Sequence, residues 1–593
     1  MQVTSSLPPS ATRVRVWYGL LSVVLGLFVV RLFYLQVLRH DYYRHVALKS
    51  QLKEYEIPAD RGIIEAHNGG EALVPIVLNE TKYTLFADPK YIDNPGETAA
   101  KVQKIIGGSQ DEYVKLLKAD SRYAVLAKKL SKDQKDAVNR LKIKGLGTRD
   151  ESYRTYPQGD LASQVLGFVS DDKQGRYGVE QALNTQLTGK PGELRAITDA
   201  QGVPLVTNKD NVQTPPTNGQ RVVLTLDVAL QKQVEDILKS GLDAAKSKSG
   251  SVIIMDPKTG AIKAMANYPS YNPNEFFKVE DSTLFNNPSV SSPLEVGSVM
   301  KPLTTAAALD IGAVTKDVTY LDPGKFVVDG FVIKNVEEDG GAGNRTLGDI
   351  LQLSLNTGAT WLLMQMGGGE INQKARTVWY DYMSNHYGFG KPTGIEQGYE
   401  EGGTIPDPSK GFGLNLQYAN SAFGQGMSMT PLQLGAAVSS VINGGTYYQP
   451  RLVDATIDGS GKKTTKQPVV VRRQVVKSSV SSDVKNLMEY VVQKNHVLYG
   501  LPNLPTNYTI GGKTGTAEIS KPGGGYYDDR FNGMFVGFVG GNQPDYVIVV
   551  RVNEPTVAGY AGAHAAAPIF SQLTTMMINN FGISPKDQQG VGH

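Results

Sequence analysis

One stretch near the start of the chain limits what the rest can be. Val16 to Val30 reads VWYGLLSVVLGLFVV, fifteen residues without a charge, and after Arg31 the apolar run continues as LFYLQVL to Leu38. A helix needs about 20 mostly apolar residues to cross a bilayer core. Residues 16–38 meet that requirement, with Arg31 reaching an interface along its aliphatic stem. A cleaved signal peptide would need a small-x-small site after the apolar run. Here Arg31 is followed by bulky Leu32, Phe33 and Tyr34, so a retained anchor is the expectation. The flanking charges give an awkward count. Arg13 and Arg15 precede the span, whereas Arg31, Arg39, Arg44, Lys49 and Lys53 follow it. Charge bias alone would therefore keep the large C-terminal part in the cytoplasm.

No second stretch in the 593 residues is long and apolar enough to span. With 40% hydrophobic and 20% charged residues, the remainder has a globular composition. A formal charge of +3, without a long basic run, gives no support to a nucleic-acid partner. Cysteine is absent, which excludes disulfides, thiolate nucleophiles and cysteine metal sites. No HExxH occurs, and nothing calls for a metal or an organic cofactor.

A break at Thr214–Pro215–Pro216–Thr217–Asn218–Gly219 reads as a linker or tight turn. It divides the chain into a tail (1–15), an anchor (16–38), an N-terminal region (39–215), a second region (216–580) and a loose polar tail (581–593). The second region opens with helical periodicity over Val228 to Ala245. Two apolar runs then flank Asp256–Pro257–Lys258–Thr259–Gly260, a hairpin signature. FNGMFVGFVGGNQPDYVIVVRVNEP, near its end, predicts two more paired strands. Helices between strand groups make this an α+β region.

The chemistry begins at Ser298–Val299–Met300–Lys301. If Ser298 opens the helix-prone segment that follows, Lys301 lies one turn on, on the same face. Pro302 is tolerated there because first-turn N–H groups have no intrahelical partner. A serine hydroxyl is a weak nucleophile and needs a base within hydrogen-bond reach. A lysine kept neutral by its surroundings can be that base. SxxK alone is weak: Ser50…Lys53, Ser170…Lys173 and Ser482…Lys485 also match and read as solvated helix faces.

Order separates the signal from its decoys. Ser354–Leu355–Asn356 follows Ser298, and Lys513–Thr514–Gly515–Thr516 comes later. Ser270–Tyr271–Asn272 and Lys258–Thr259–Gly260 match the same short patterns but precede Ser298. The ordered triple SxxK, SxN, KTG is the pattern of penicillin-binding proteins and serine β-lactamases. Gly511 and Gly512 fit either a strand that must lie against substrate or a β-bulge. The glycine-rich loop Pro522 to Tyr527 reads either as a cover for the site or as a solvated loop.

Beyond the triple, the chain resembles the class B penicillin-binding proteins, membrane-anchored D,D-transpeptidases of cell-wall synthesis. Arg61–Gly62–Ile63–Ile64, Arg154–Thr155–Tyr156–Pro157 and Tyr177–Gly178–Val179–Glu180 are similar to that family's N-terminal boxes. Met255 to Phe276 and Val552 to Phe570 are similar to its segments before the nucleophile and at the closing strand and helix. Val296 stands where the family often has Pro, and Glu65–Ala66–His67–Asn68–Gly69 replaces a commoner ending of the first box.

The resemblance implies a single transmembrane helix, an elongated pedestal or dimerisation-type domain, and a transpeptidase domain built on an antiparallel sheet flanked by helices. It implies that Ser298 is acylated by a stem peptide or a β-lactam and that Lys301 accepts its proton. Ser354 would relay a proton to the leaving group, and Asn356 would hold Lys301 and the substrate amide. Lys513, Thr514 and Thr516 would bind the substrate carboxylate, with Gly515 between them. The backbone N–H groups of Ser298 and Thr516 would form the oxyanion hole. Peptidoglycan lies outside the plasma (inner) membrane, so the family overrides the charge count and places residues after Leu38 outside. The resemblance also implies a septal role, a lipid II-derived glycan strand as substrate, and docking on a SEDS-type polymerase among division-complex membrane proteins.

Other readings remain open on the residues alone. An elongation-type transpeptidase carries the same triple. A β-lactam hydrolase or sensor would too, although no counterpart of the class A deacylating glutamate motif is found and the long N-terminal region would have no purpose. A silent scaffold is disfavoured by the intact side chains of the triple.

Overall fold

The computed structural model describes residues 9–43, 52–197, 212–335, 341–521 and 523–587. Two compact units emerge: residues 1–60 with 189–218, and residues 61–188 with 219–593. In the first unit the apolar run is a helix, Pro9–Phe33, continued by a π-helical turn, Tyr34–Leu38. The most apolar 18-residue stretch within residues 13–38 has a mean hydropathy of 2.2, and none of it is buried. An apolar surface of this length, left uncovered by protein, suits a lipid surround. The same unit holds a three-stranded antiparallel sheet of Leu52–Ile57, Gly192–Ile197 and Val212–Thr214.

The second unit contains two larger sheets. One is a seven-stranded sheet in which Arg221–Asp227 runs parallel to Ile64–His67 and antiparallel to Val453–Ile457. Its outer part, Leu73–Ala87 with Ala124–Leu130 and Leu146–Thr155, packs with three short helices around Leu85, Val102, Leu117 and Val138.

The three N-terminal boxes meet in this unit. Glu180 is buried between two guanidinium groups: Arg61 Nε donates to it at 2.8 Å and Arg154 Nε at 2.7 Å. Arg154 also donates to Asn79, and Arg61 to Asn184 and Thr188. Segments more than a hundred positions apart in sequence thus share one buried charge.

The other sheet has five antiparallel strands, in the order Ile262–Tyr268, Ser249–Met255, Pro544–Asn553, Tyr526–Gly540, Thr509–Ser520. Its central strands are apolar on both faces, as expected of strands covered on both sides. Val252 and Ile254 face the helices Val228–Ala245 and Ala567–Asn580, while Ile253 and Met255 face the opposite core with Leu303, Ala307 and Val438. The expected helix over Val228 to Ala245, the hairpin around Asp256 to Gly260 and the late strand pair are all present.

Two local expectations change. The glycines before Lys513 sit neither at a bulge nor against open substrate space. Gly511 pairs with Phe538, and a Cβ on Gly511 would fall 2.3 Å from the Phe538 ring; on Gly512 it would fall 2.4 Å from Phe535. Cross-strand aromatic rings occupy the room that side chains would need. The tail is not loose as far as Asp587: Ile583 is buried, and Lys586 donates its backbone N–H to Asn507 and its ammonium to Glu489.

Candidate active site

The segment around Ser298 is held by backbone contacts too close for any side chain. Ser298 lies in a short 3-10 turn, Gly297–Met300, that runs into the helix Lys301–Asp310 with Pro302 in its first turn. Gly297 has φ +63°, and a Cβ there would lie 2.5 Å from the Thr516 carbonyl oxygen. Its N–H donates to the Gly424 carbonyl at 3.0 Å. Only glycine fits this position. Val296, before it, has φ −99°. Nothing in the structure explains why valine stands here instead of the family's proline.

Lys301 is fully buried and its Nζ is ringed by oxygens. It donates to Ser298 Oγ at 2.9 Å, Asn356 Oδ1 at 2.9 Å, Ser354 Oγ at 3.2 Å and the Ser354 carbonyl. A buried amino group is tolerable only with such partners. Ser354 joins the helices Leu347–Gln352 and Asn356–Met366 with φ +59°, a left-handed conformation uncommon for a residue with a Cβ. That conformation turns both its carbonyl and its hydroxyl toward Lys301. Lys513, 1% exposed on the edge strand, donates to Ser354 Oγ at 3.0 Å and Thr514 Oγ1 at 3.3 Å. One serine hydroxyl therefore lies between two lysine side chains.

All the residues anticipated from sequence come together here. Thr514, Gly515 and Thr516 continue the edge strand past Lys513. Gly515 lets that strand touch the Ser298 segment, since a Cβ would be 2.5 Å from the Val296 carbonyl. Thr516 Oγ1 accepts the Gly562 N–H at 3.1 Å. The decoys are elsewhere. Lys258 pairs with Asp545 in the hairpin, Ser270 donates to Asp160, and Ser170…Lys173 is a turn rather than a helix face. Ser482…Lys485 does lie on a helix, and Ser50 is outside the described residues.

The sequence reading missed a neighbouring cluster. Glu295, three residues before Ser298, accepts from the Tyr526 hydroxyl at 3.0 and 3.1 Å. Burial pushes the Glu295 carboxyl above its usual range; the Tyr526 and Gly426 hydrogen bonds oppose that shift and the charge of Glu518 adds to it. Glu518 itself accepts from Gln425 at 2.8 Å. Tyr526 belongs to the glycine-rich hairpin, so the base of that loop is anchored; Pro522 lies outside the described residues. No spacing rule links residues 295 and 526.

A half-buried serine bonded to a buried lysine, a second serine and a second lysine on a sheet edge define an acyl-serine enzyme of the penicillin-recognising type. The sequence pattern of the penicillin-binding protein transpeptidase domain matches residues 250–575, and that of the penicillin-binding protein dimerisation domain matches residues 56–224. Stage V sporulation protein D of Bacillus subtilis is 31% identical over 97% of this chain and 87% of its own length. The peptidoglycan D,D-transpeptidase FtsI of Escherichia coli is 27% identical over 96% of this chain and 91% of its own. The crystal structure of penicillin-binding protein 3 from Mycobacterium tuberculosis, complexed with aztreonam, superposes with a TM-score of 0.67 at 25% identity, covering 90% of this chain and 98% of that one. The chain belongs to the class B penicillin-binding proteins, the membrane-anchored serine D,D-transpeptidases.

Proposed function

We infer that this transpeptidase cross-links peptidoglycan stem peptides at the division septum through an acyl-Ser298 intermediate. The observation that carries the chemistry is the Lys301 Nζ contact with Ser298 Oγ at 2.9 Å, in a buried setting. Lys301 in its neutral form takes the hydroxyl proton as Ser298 Oγ attacks the carbonyl carbon of the penultimate D-Ala. The C–N bond to the terminal D-Ala then breaks, and the departing amine receives a proton relayed through Ser354. Asn356 holds Lys301 and the substrate amide, while Lys513, Thr514 and Thr516 draw in the substrate carboxylate across Gly515. The N–H groups of Ser298 and Thr516 stabilise the oxyanion, each such donor being worth about 10²–10³ in rate. An amine from a second stem peptide attacks the ester and releases Ser298.

The septal assignment is supported by the similarity to FtsI. In this reading residues 1–15 are cytoplasmic, 16–38 cross the plasma membrane, 39–215 form the pedestal and 216–580 the extracytoplasmic catalytic part. The anchor and pedestal dock on a SEDS-type glycosyltransferase that supplies lipid II-derived strands.

Fluorescent penicillin labelling of purified protein beside Ser298→Ala, followed over hours, tests the chemistry. Stable labelling lost in the variant supports it. A label that appears and quickly vanishes indicates a β-lactam hydrolase, and no label on folded protein refutes catalysis. Depletion in cells tests the role: filaments support septal action, and rounded cells support elongation.

A further inference from the structure

Asn356 begins its helix without a normal cap. The residue before it, Leu355, has no side chain that can accept from the first-turn N–H groups. The acceptor comes instead from a distant segment: the Thr357 N–H donates to Asn335 Oδ1 at 3.0 Å. Asn335 Nδ2 donates to Thr357 Oγ1 at 2.7 Å, and the Thr357 hydroxyl donates to Asp322 Oδ2 at 2.6 Å. Asp322 also accepts the Gly324 N–H at 2.8 Å and the Tyr320 hydroxyl at 3.2 Å. One residue earlier, the Lys334 carbonyl accepts from Asn356 Nδ2 at 3.3 Å. Adjacent residues 334 and 335 thus grip adjacent residues 356 and 357.

Asp322 and Thr357 are fully buried and Asn335 is 8% exposed. Buried polar networks are costly when incomplete and rigid when satisfied. The Asp322 carboxylate also lies at the helix end where a negative charge is favoured. What this network fixes is the first turn of Asn356–Met366, and with it the Asn356 Oδ1 that accepts from Lys301 Nζ.

We propose that Asp322, Asn335 and Thr357 are positioning residues that hold Asn356, and through it Lys301, in register with the nucleophile. The proposal rests on the roles given above to Ser298, Lys301 and Asn356. Misplacing a catalytic group by about 1 Å can cost about 10²-fold in rate.

The test measures acylation of the full-length protein by a fluorescent penicillin, recording rate, labelled fraction at saturation and pH profile. Thr357→Val keeps the shape and removes the hydroxyl; Thr357→Ser keeps the hydroxyl. Thr357→Val should label to full stoichiometry at least about tenfold more slowly, with an altered pH profile. Thr357→Ser should return to within about threefold of wild type. A folded Thr357→Val with the wild-type rate and profile overturns the proposal, as does one that merely loses labelled fraction. If Thr357→Val does not fold, Asn335→Ala is judged by the same criteria. If neither folds, the network serves the fold alone and the proposal is overturned. Ser298→Ala and Asn356→Ala run alongside: labelling of the first, or a wild-type rate in the second, defeats the underlying active-site roles instead.

Discussion

Tyr526 shares its hydroxyl proton between the two carboxylate oxygens of Glu295, at 3.1 and 3.0 Å, across 231 positions of sequence. The bond ties the hairpin beyond the KTG strand to the segment just before Ser298. A hydrogen bond to a charged group contributes about 1.5–3 kcal/mol. Tyr526→Phe should therefore raise amide hydrogen exchange in the 520–526 hairpin by about tenfold or more. Losing a bond that favours the carboxylate should also raise the Glu295 carboxyl further. Unchanged protection in the hairpin would show that something else holds it.

Gly511 and Gly512 differ from ordinary strand glycines in what lies over them. An alanine Cβ at 511 would meet the Phe538 ring at 2.3 Å, so the ring must move. Overpacking of this kind costs about 1–3 kcal/mol. Gly511→Ala should lower the melting temperature by several degrees, and adding Phe538→Leu should recover part of the loss. A double variant no more stable than the single one would remove the ring from the explanation.

Glu235 supplies a pH test away from the active site. Its carboxylate accepts the Ala162 N–H and the Gln231 amide, yet burial raises the carboxyl to about 7. A raised carboxyl means that the folded protein binds the proton more tightly than the unfolded chain does. Its contribution is fully present below the ordinary value of 4.5 and is lost as pH rises through about 7. Glu235→Gln should flatten stability over that window relative to wild type. Parallel denaturation curves at pH 4.5, 6 and 8 check this, and equal slopes in the two proteins would reject it.

Glu180 neutralises two arginines in a buried site. Removing one partner of a buried charge cluster costs about 3–5 kcal/mol because the other charge is left unpaired. Glu180→Gln should be destabilised on that scale, with Arg61 and Arg154 both uncompensated. Chemical denaturation measures it, and a change below about 1 kcal/mol would mean that water or neighbouring groups take over the charge.

The parts of the site that were legible in the sequence are those fixed by local geometry. Ser298 and Lys301 are three residues apart on one helical turn, and the strands around Lys258 are short apolar runs either side of a turn. The joining of Ser298, Ser354 and Lys513 followed from motif order and family resemblance, not from periodicity. What could not be read depends on register between distant segments. The purpose of Gly511 needs Phe538 opposite it. The left-handed Ser354 is turned toward a lysine 53 positions away. The Asn335 acceptor stands in for a cap that no residue beside Asn356 provides.

The strand order of the catalytic sheet has a consequence for how the protein is made. Among the described residues, the strand bearing Lys513 has a backbone ladder only with Tyr526–Gly540, which reaches Ser249–Met255 through Pro544–Asn553. A growing chain emerges from its N-terminus, so Ser298 is synthesised long before its second lysine can be seated. Until the strand Pro544–Asn553 is available, no backbone ladder connects Lys513 to the rest of that sheet. Unfinished molecules therefore carry the serine without the pocket, and the site stays incomplete until these strands have been made.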